Sequence, residues 1–371
     1  MKVTRIMLRH FRNYPQQSLT MQQNINIFVG RNAQGKTNLL EALYVAALGR
    51  SHRTNNDAEM ISWQEQETSV EVEYERHGVS HTANVRISRT ALKEVVLNGH
   101  PVKARELIGN LNAVLFSPED LTFVKGAPAQ RRRFLDMEIS QTSRAYYQEL
   151  TDYNRILQQR NNLLKKIRER RAQADQLDTW DGQLAAMAAS LVRRRKNALR
   201  KMVMLANLMH RKLTDSSETL TTEYYQPYFE KGRDEEHHTL EEEWYRHKIL
   251  HSRSDDVLRG FTSVGPHRDD LHIAVNNVSL RIYGSQGQQR TGALAFKLAE
   301  LEYIKSETGE YPILLLDDVM SELDKERREQ LTGFVKDRIQ TFITATDREL
   351  FSLPKFATVY QIEKGEIERL S

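Results

Sequence analysis

One glycine-rich segment has the residue types and spacing of a phosphate-binding loop. Residues 30–37 read GRNAQGKT and match G-x-x-x-x-G-K-[ST] at every fixed position. The segment follows the apolar run INIFV and precedes the helical pattern TNLLEALYVAAL, which is the strand, loop and helix order that the motif needs. Backbone N–H groups at such a helix start bind phosphate. A glycine turn that precedes a helix by chance is the alternative.

The motif assigns roles within this loop. Lys36 is expected to reach the β- and γ-phosphates of ATP, and the Thr37 hydroxyl to bind Mg²⁺. The candidate ATP-binding residues of the loop are Gly30, Arg31, Asn32, Ala33, Gln34, Gly35, Lys36, Thr37 and Asn38.

A pair of acids near the other end of the chain supplies the second half of the site. Residues 313–318 read ILLLDD, and the continuous apolar run predicts a buried parallel strand. Asp317 at its end is expected to bind Mg²⁺, and Asp318 to polarise the attacking water. Residues that share one magnesium ion must be neighbours, so the two ends of the sequence are expected to fold together. Two acids that merely cap the next helix are the alternative.

A second glycine-rich turn lies at residues 283–300, YGSQGQQRTGALAFKLAE. It resembles the signature of ATP-binding-cassette proteins, usually Leu-Ser-Gly-Gly-Gln, with Gln286 in place of a glycine. Ser285, Gly287 and Gln288 are the candidate contacts. A signature acts on the γ-phosphate bound by a second subunit, so the resemblance implies a head-to-tail pair of chains around two ATP molecules. A polar turn that only caps a core helix is the alternative.

The same class implies further contacts around the acids. Residues 321–324, SELD, fall where the class has its D-loop at the dimer interface, and Asp324 is the candidate residue. Thr346 or Asp347 follows the strand TFITA, where many members carry a histidine that senses the γ-phosphate. Pro118 and Glu119 fall at the Q-loop position, but no clear Q-loop glutamine is present.

Composition limits the other classes of function. The 371 residues suggest two or three domains, and the 39% hydrophobic content is enough for a core. The absence of cysteine excludes disulfides, thiolate zinc sites and cysteine nucleophiles. The sequence shows neither a secretory signal nor an apolar run long enough to cross a membrane. We therefore expect a cytoplasmic protein without a membrane partner.

The pattern of elements predicts an α/β fold with a helical insertion. Strand-like runs such as VTRIMLRHF and SVEVEYE suggest a mixed sheet beside the P-loop strand, with YPQQSLTMQQ as a break between strands. Residues 153–177 and 184–213 have helical periodicity and predict a helical hairpin. Strands are expected to return near residue 257, including VSLRIYG. The expected domains are a head formed by 1–127 and 257–371 and an arm formed by 128–256, with 283–300 on the arm side.

The arm carries clusters of cations that suit the DNA backbone. Lys and Arg neutralise phosphates and release counterions without selecting sequence. A solvated helix face balanced by nearby acids is the alternative, and residues 131–133 could instead link the nucleotide site to the arm. The candidate DNA-binding residues are Arg131, Arg132, Arg133, Arg193, Arg194, Arg195, Lys196, Arg200 and Lys201.

Several sequence blocks together resemble one family of recombination mediators, the RecF family. The blocks occur in the family's order, from near the first residue to the acids, and SPEDL and GPHRDD are the most specific. They are FRNY at 11–14, GRNAQGKTNLLEALY at 30–44, FSPEDL at 116–121, RRRFLD at 131–136, VGPHRDDL at 264–271, YGSQGQQR at 283–290 and LLLDDVMSELD at 314–324. Ala33 departs from the general GxNGxGK[ST] loop but is small enough to keep its shape.

The resemblance implies an ABC/SMC-type P-loop ATPase head with a mixed β-sheet and an inserted helical arm, called lobe II. It implies weak, slow, Mg²⁺-dependent ATP hydrolysis stimulated by DNA, and a homodimer that forms on ATP. It also implies binding to gapped DNA, single-strand/double-strand junctions and duplex DNA. RecR would be the partner, with RecO, and RecA loading the outcome, while hydrolysis would time DNA release. No residue identifies the RecR contact, and GPHRDD could be a salt-bridged turn in which His267 and Arg268 tie the lobes.

Three other classes share parts of this pattern. A transporter ATPase would need a membrane partner and would be indifferent to DNA. A structural SMC head would need far longer arms than the central insertion offers. A P-loop kinase would have no use for a signature or a D-loop.

Overall fold

The computed structural model describes residues 1–230, 232, 234–235, 237–346 and 357–370. The chain forms two compact units. Met1–Thr122 with Ala293–Ser371 is called the head unit, and Phe123–Gly292 the arm unit.

Strands and helices are numbered along the chain. The strands are β1 Lys2–Phe11, β2 Tyr14–Thr20, β3 Ile25–Val29, β4 Glu67–Arg76, β5 Val79–Ser88, β6 Glu94–Leu97, β7 His100–Val102, β8 Ala113–Phe116, β9 Leu220–Tyr225, β10 Asp270–Val275, β11 Val278–Ser279, β12 Ile313–Asp317, β13 Thr341–Ala345, β14 Ala357–Glu363 and β15 Glu366–Arg369. The helices are α1 Lys36–Leu48, α2 Pro128–Thr142, α3 Arg144–Arg168, α4 Leu177–Leu213, α5 Glu242–His251, α6 Arg253–Arg259, α7 Leu280–Tyr283, α8 Gln286–Thr308 and α9 Lys325–Val335.

The sheet that carries the P-loop is mixed, with strand order β15-β14-β3-β13-β12-β8. Its strands pair in parallel except for the antiparallel pair β14–β15. Every residue of β3, β12 and β13 is buried, which explains why these strands read as continuous apolar runs. Because parallel strands end at the same edge, the loops that follow β3, β12 and β13 share one side of the sheet.

The other sheet of the head unit is antiparallel, with strand order β2-β1-β4-β5-β6-β7. The predicted break at YPQQSLTMQQ is wrong, because its first seven residues form β2 at the edge of this sheet. An edge strand tolerates Pro15 because one of its sides makes no ladder bonds. Asn98 and Gly99 form the β6–β7 hairpin turn, both with positive φ.

Helix α1 is buried almost throughout and packs against strands of both sheets. Its Leu- and Ala-rich sequence is apolar all round, as expected of a helix covered on every side. This burial fixes the start of α1, and with it Lys36 and Thr37, against the parallel sheet.

The arm unit contains the predicted helical hairpin, α3 packed on the long helix α4. Ile156 and Leu164 of α3 are buried, whereas Leu157, Leu163 and Ile167 are partly exposed. Beside the hairpin lies a small antiparallel sheet with strand order β11-β10-β9. No helix in the described ranges is long and apolar enough to cross a membrane.

The polar segment 214–255 contains β9, α5 and the first three residues of α6. Two expectations for the arm unit differ from the structure. VSLRIYG, predicted as a strand, forms only the two-residue strand β11 and then turns into α7. Because β10 pairs with β9 along its whole length, residues 270–275 lie in the arm unit, whereas the sequence placed the head boundary at 257.

Candidate functional site

The P-loop connects β3 to α1 and is closed by two tightly packed glycines. A Cβ on Gly35, whose φ is +119°, would lie 2.6 Å from Asn13 Nδ2. A Cβ on Gly30 would lie 2.4 Å from the carbonyl oxygen of Ile362 in β14. Both positions therefore require glycine, which is the physical reason for two of the motif's fixed residues. Ala33 has a φ of +64°, so this alanine takes the left-handed conformation that glycine would adopt more readily.

Side chains from the FRNY segment hold the loop from outside. Asn13 Nδ2 donates to the carbonyl of Gln34 at 2.8 Å, and the buried Tyr14 hydroxyl donates to the carbonyl of Gly35 at 2.9 Å. Gln34 Oε1 accepts from the backbone N–H of Lys364 at 2.7 Å. Motif reasoning missed Asn13 and Tyr14 as site residues; FRNY, one of the blocks of the family resemblance, was their signal.

Lys36 is held inside the loop. Its Nζ donates to the carbonyls of Gly30 at 2.5 Å and Arg31 at 3.0 Å. Burial lowers the pKa of Lys36, and the nearby carboxylates of Asp318 and Asp317 act in the opposite direction. A cation and two acids therefore face one small volume.

A hydrogen-bond chain joins the P-loop to the acidic pair. Thr37 Oγ1 donates to Asp317 Oδ1 at 2.9 Å, although the two residues are 280 positions apart. Asp317 Oδ1 also accepts from Thr344 Oγ1 at 2.8 Å, and Thr344 Oγ1 accepts from the Asp318 N–H at 2.8 Å. The predicted meeting of residues 37 and 317 is thus observed. Thr344 was missed, although it is a polar residue within the apolar strand TFITA.

The donor set at this point fits a magnesium ion. The Thr37 hydroxyl and the Asp317 carboxylate lie together at the end of β12, and Mg²⁺ prefers hard oxygen ligands of this kind.

Asp318 follows in a left-handed conformation, with a φ of +54°. Burial raises the pKa of Asp318, Lys36 lowers it, and Asp317 raises it further. A left-handed aspartate directly after a buried strand is uncommon. The backbone therefore leaves the extended conformation of β12 at Asp318.

The remaining head residues of the predicted site have separate environments. Arg31, Asn32 and Ala33 are exposed on the loop. Asn38 donates to Asn13 Oδ1 and accepts from Arg53 at 2.8 Å each, so it also braces the loop.

Two further predicted residues lie beyond the acids. Asp324 is the N-cap of α9 and accepts from the Arg327 N–H at 2.9 Å. Thr346 is exposed just after β13, and Asp347 lies outside the described residues.

In the arm unit, Ser285 begins helix α8 with a reciprocal cap. Its N–H donates to Gln288 Oε1 at 3.1 Å, and its Oγ accepts from the Gln288 N–H at 3.2 Å. Ser285 and Gly287 are exposed, while the buried Gln289 donates to the carbonyls of Leu280 and Gly284 at 2.9 Å each. Several hydrogen bonds therefore hold the turn, which places the Ser285 hydroxyl at a helix N-terminus.

Two of the predicted DNA contacts are wrong, because Arg131 and Arg195 are buried within the arm unit. Arg131 pairs with both oxygens of Asp270, at 2.7 and 2.9 Å. Arg195 pairs with both oxygens of Asp136 at 2.8 Å each and donates to the Pro266 carbonyl at 2.6 Å. Within a run of arginines the helix turns successive side chains to different faces, and composition does not show which face is covered.

The other predicted cations lie at or near the surface of the arm unit. Arg133, Arg193, Arg200 and Lys201 are exposed, whereas Arg132, Arg194 and Lys196 are partly exposed. Some of them also bind neighbouring groups. Arg132 donates to the Asp269 carbonyl, Arg193 to the Leu240 carbonyl, Arg194 to Glu149 and Lys196 to Thr239.

The GPHRDD segment builds a buried polar network in the arm unit. Tyr224 and Tyr228 donate to Asp269 at 2.6 and 2.7 Å, and Tyr153 shares a 2.6 Å hydrogen bond with His267 Nδ1. Burial raises the pKa of Asp269 to about 6 and lowers that of His267 to about 3. The described hydrogen bonds of this segment all join residues within the arm unit, where they form a buried network.

Comparisons with known proteins show the family of this chain. A family model described as RecF/RecN/SMC N terminal domain matches residues 2–368. The DNA replication and repair protein RecF of Halothermothrix orenii is 43% identical over 377 residues, covering 100% of this chain and 99% of that protein. RecF of Alkaliphilus oremlandii is 44% identical over 375 residues, covering 99% of this chain and 100% of that protein. The chain belongs to the RecF family.

Solved structures agree with this RecF-family assignment. The recombination mediator protein RecF, solved as RecF-ATP in the RecFOR pathway, has a TM-score of 0.91 and 34% identity, covering 100% of this chain and 98% of that one. An Smc head bound to the C-winged helix domain of ScpA has a TM-score of 0.59 at 14% identity, with coverages of 100% and 98%, and shows the fold alone.

The predicted fold class, an ABC/SMC-type ATPase head with mixed α/β structure, is confirmed. Whole-chain identity to RecF proteins excludes the transporter ATPase, the long-armed SMC protein and the P-loop kinase as assignments.

Proposed function

We propose that this chain is an ATP- and Mg²⁺-dependent, DNA-binding recombination mediator that pairs with a second copy on ATP. The observation that carries the proposal is the 2.9 Å hydrogen bond between Thr37 and Asp317, which joins the P-loop and the acidic strand into one site. The solved RecF-ATP structure and the relatives named as DNA replication and repair proteins support it.

The head residues have separate roles in binding and hydrolysing ATP. The P-loop N–H groups and Lys36 bind the phosphates, and Thr37 and Asp317 hold the metal. When bound there, Mg²⁺ would supply positive charge that offsets the negative charge developing on the phosphates during transfer. Asp318 orients and polarises the attacking water, and Thr344 fixes both acids through its hydroxyl. Hydrolysis is weak and is stimulated by DNA.

The arm residues complete the site of a second copy. The Ser285 Oγ accepts one hydrogen bond, so its own O–H can still be donated to a γ-phosphate. The start of the 23-residue helix α8 adds a favourable field for an anion. Gly287 and Gln288 belong to the same contact, and Asp324 and Thr346 face the paired copy.

The exposed cations of the arm bind the DNA backbone. Within the sequence-predicted set, Arg133, Arg193, Arg200 and Lys201 have the greatest exposure, and Arg132, Arg194 and Lys196 flank them. Lys and Arg contacts to phosphate do not select sequence, so they suit gapped DNA, single-strand/double-strand junctions and duplex DNA.

The pathway named for the solved RecF structures suggests the partners. RecR binds the ATP-bound pair, RecO acts with it, and RecA loading at gaps follows. ATP acts as a timer, because hydrolysis separates the heads and releases DNA. The proposed location is the cytoplasm. The proposed domains are an ATPase head built from both ends of the chain and a helical arm, lobe II.

Fluorescence anisotropy of a labelled gapped duplex, with and without ATP–Mg²⁺, tests this function. ATP should tighten DNA binding by the wild-type chain, and Lys36→Ala should remove that effect because its phosphate contact is lost. The matched control is Lys103→Ala, which removes an exposed lysine of the head unit outside the predicted site and should behave as wild type. DNA binding that is indifferent to ATP, or an ATP effect that survives Lys36→Ala, would contradict the proposal.

A further inference from the structure

The signature turn is held by an acid that the sequence motifs do not include. Glu218 lies in the segment between α4 and β9, and its Oε1 accepts from Gln288 Nε2 at 2.7 Å. The other end of the same amide, Gln288 Oε1, accepts from the Ser285 N–H. One carboxylate therefore orients one amide, and that amide orients the signature serine.

The direction of these bonds matters for Ser285. A glutamine amide can be turned either way, and only one orientation presents oxygen to the Ser285 N–H. The Glu218 carboxylate accepts hydrogen bonds and cannot donate them when ionised, so it binds the NH₂ end of the amide. The opposite end must then face Ser285, and the cap is fixed in the orientation that the structure shows.

Glu218 is itself anchored on the long helix α4. The N–H of Leu220, two residues on, donates to Asn207 Oδ1 of α4 at 3.0 Å. Thr219 exchanges two 2.9 Å bonds with Asn276, one from its N–H to Asn276 Oδ1 and one from the Asn276 N–H to its carbonyl. The buried ring of His210, also on α4, lies 3.6 Å from Glu218 Oε2. The Glu218 side chain is only 21% exposed, and neighbouring groups of the arm unit hold it in place.

We propose that Glu218 is a positioning residue that fixes Ser285, through Gln288, for the γ-phosphate bound by a second copy of this chain. The inference rests on the function proposed above and adds to it a residue outside every recognised motif. Glu218 touches neither the phosphate nor the reacting atoms in this scheme. Its loss is expected to weaken pairing while leaving the nucleotide affinity of a single head unchanged.

The test compares full-length variants in two assays. Sedimentation velocity with saturating ATP–Mg²⁺ gives the dimer dissociation constant, and binding of a fluorescent ATP analogue at low protein concentration gives the affinity of one head. Glu218→Ala should weaken the dimer about tenfold, because Gln288 and Ser285 are then no longer ordered before pairing and must be ordered when the dimer forms. Glu218→Gln keeps an acceptor for Gln288 Nε2 and should stay within about threefold of wild type.

Glu223→Ala is the matched control, because Glu223 is an exposed acid on β9 in the same unit. It should pair like wild type. All variants should keep the wild-type affinity for the ATP analogue and stay fully folded at the assay temperature, because a purely structural defect would change both.

The outcomes separate this inference from the proposed function. If the wild-type chain pairs on ATP and Ser285→Arg blocks pairing, but Glu218→Ala pairs like wild type, the role of Glu218 is overturned and the proposed function stands. A pairing defect in Glu218→Ala that Glu218→Gln shares in full, or that comes with partial unfolding at the assay temperature, also overturns it. If the wild-type chain does not pair on ATP, the proposed function fails, and the role of Glu218 that rests on it fails with it.

Discussion

At the scale of single residues, the site depends on one carboxylate oxygen that serves two hydroxyl groups. Asp317 Oδ1 accepts from both Thr37 and Thr344, so its direction is fixed from the P-loop and from the neighbouring strand. Thr344 also accepts from the Asp318 N–H and thereby sets the left-handed aspartate. The two acids are thus adjacent in sequence but held in different conformations.

Thr344→Val removes the hydroxyl and keeps the shape of the side chain. A hydrogen bond to a charged group contributes about 1.5–3 kcal/mol, so Mg²⁺-dependent ATP binding should weaken by roughly tenfold or more. A titration of ATP binding with Mg²⁺ measures this. Thr358→Val, at a buried threonine of β14 in the same sheet, is the control and should bind as wild type. Equal effects of the two substitutions would remove Thr344 from the site.

The rate of ATP hydrolysis should fall at acid pH because Asp318 becomes protonated, and this fall should begin at a higher pH than for an ordinary aspartate. Burial raises its pKa, and a base works only when ionised, so turnover should fall as pH drops through a value above the ordinary Asp pKa of about 3.9. Asp318→Asn should remove this pH dependence, nearly abolish turnover and trap the ATP-bound pair. A pH series of phosphate release measures both, and wild-type turnover in the variant would place the base elsewhere.

Residue types at fixed spacing made part of the site predictable. Lys36, Thr37 and Asp317 stand at positions that phosphate and metal chemistry dictate, so the motifs identified them. Asn13, Tyr14 and Thr344 act through contacts made only after distant segments meet, and no local spacing encodes such contacts. Glu218 belongs to the same group.

At the scale of elements, helix α4 shows that one cationic run has both buried and exposed members. Its 37 residues alternate buried and exposed faces, so Arg195 is buried beside Asp136 while Arg193 and Arg200 are exposed. Helical periodicity predicted α4 itself, but which face is covered depends on α3 and β9, which lie elsewhere in the sequence. The polar composition of residues 214–255 likewise did not indicate β9 and α5, because contacts with other segments stabilise these elements.

Arg195 and Arg200 should therefore respond differently to alanine. Arg195→Ala leaves Asp136 without its buried partner and should lower the free energy of unfolding by about 3–5 kcal/mol. Arg200→Ala should change stability by less than about 0.5 kcal/mol. If Arg200 contacts one phosphate, its loss should reduce the slope of log K against log salt for duplex DNA by about 0.9. Urea unfolding measures the free energy of unfolding of both variants, and a salt titration measures their DNA affinity.

The opposite pattern would contradict the assignment. A stable Arg195→Ala variant that loses DNA affinity would return Arg195 to the DNA surface and remove its role in the buried pair.

Asp269 should make the stability of the arm unit depend on pH. Its folded pKa is raised to about 6, chiefly by burial, above the unfolded value of about 3.9. The raised value gives a stabilising contribution that is complete below about pH 4 and lost as pH rises through about 6. The unfolding midpoint of wild type minus that of Asp269→Asn should therefore fall as pH rises from about 4 to about 6 and should be level above about pH 7. Thermal unfolding across this range checks it, and a constant difference would contradict the raised pKa.

At the scale of the whole molecule, the chain has two compact units, and each contains one glycine-rich turn at the start of a helix. The P-loop lies in the head unit, and Ser285 lies in the arm unit. The sequence predicted both turns and the return of the chain to the head, because strands, loops and helices follow one another in a fixed order. It did not predict the unit boundary near residue 292, because β10 is assigned to the arm only by its pairing with β9.

The central claim is that Ser285 of one copy acts on ATP bound by another. Static light scattering of the pure chain, without nucleotide and then with ATP–Mg²⁺, tests it most directly, with Ser285→Arg measured in parallel. The wild-type mass should double with ATP, and the variant should stay monomeric while it still binds nucleotide. A variant that pairs like wild type would contradict the claim and leave YGSQGQQR as a helix cap.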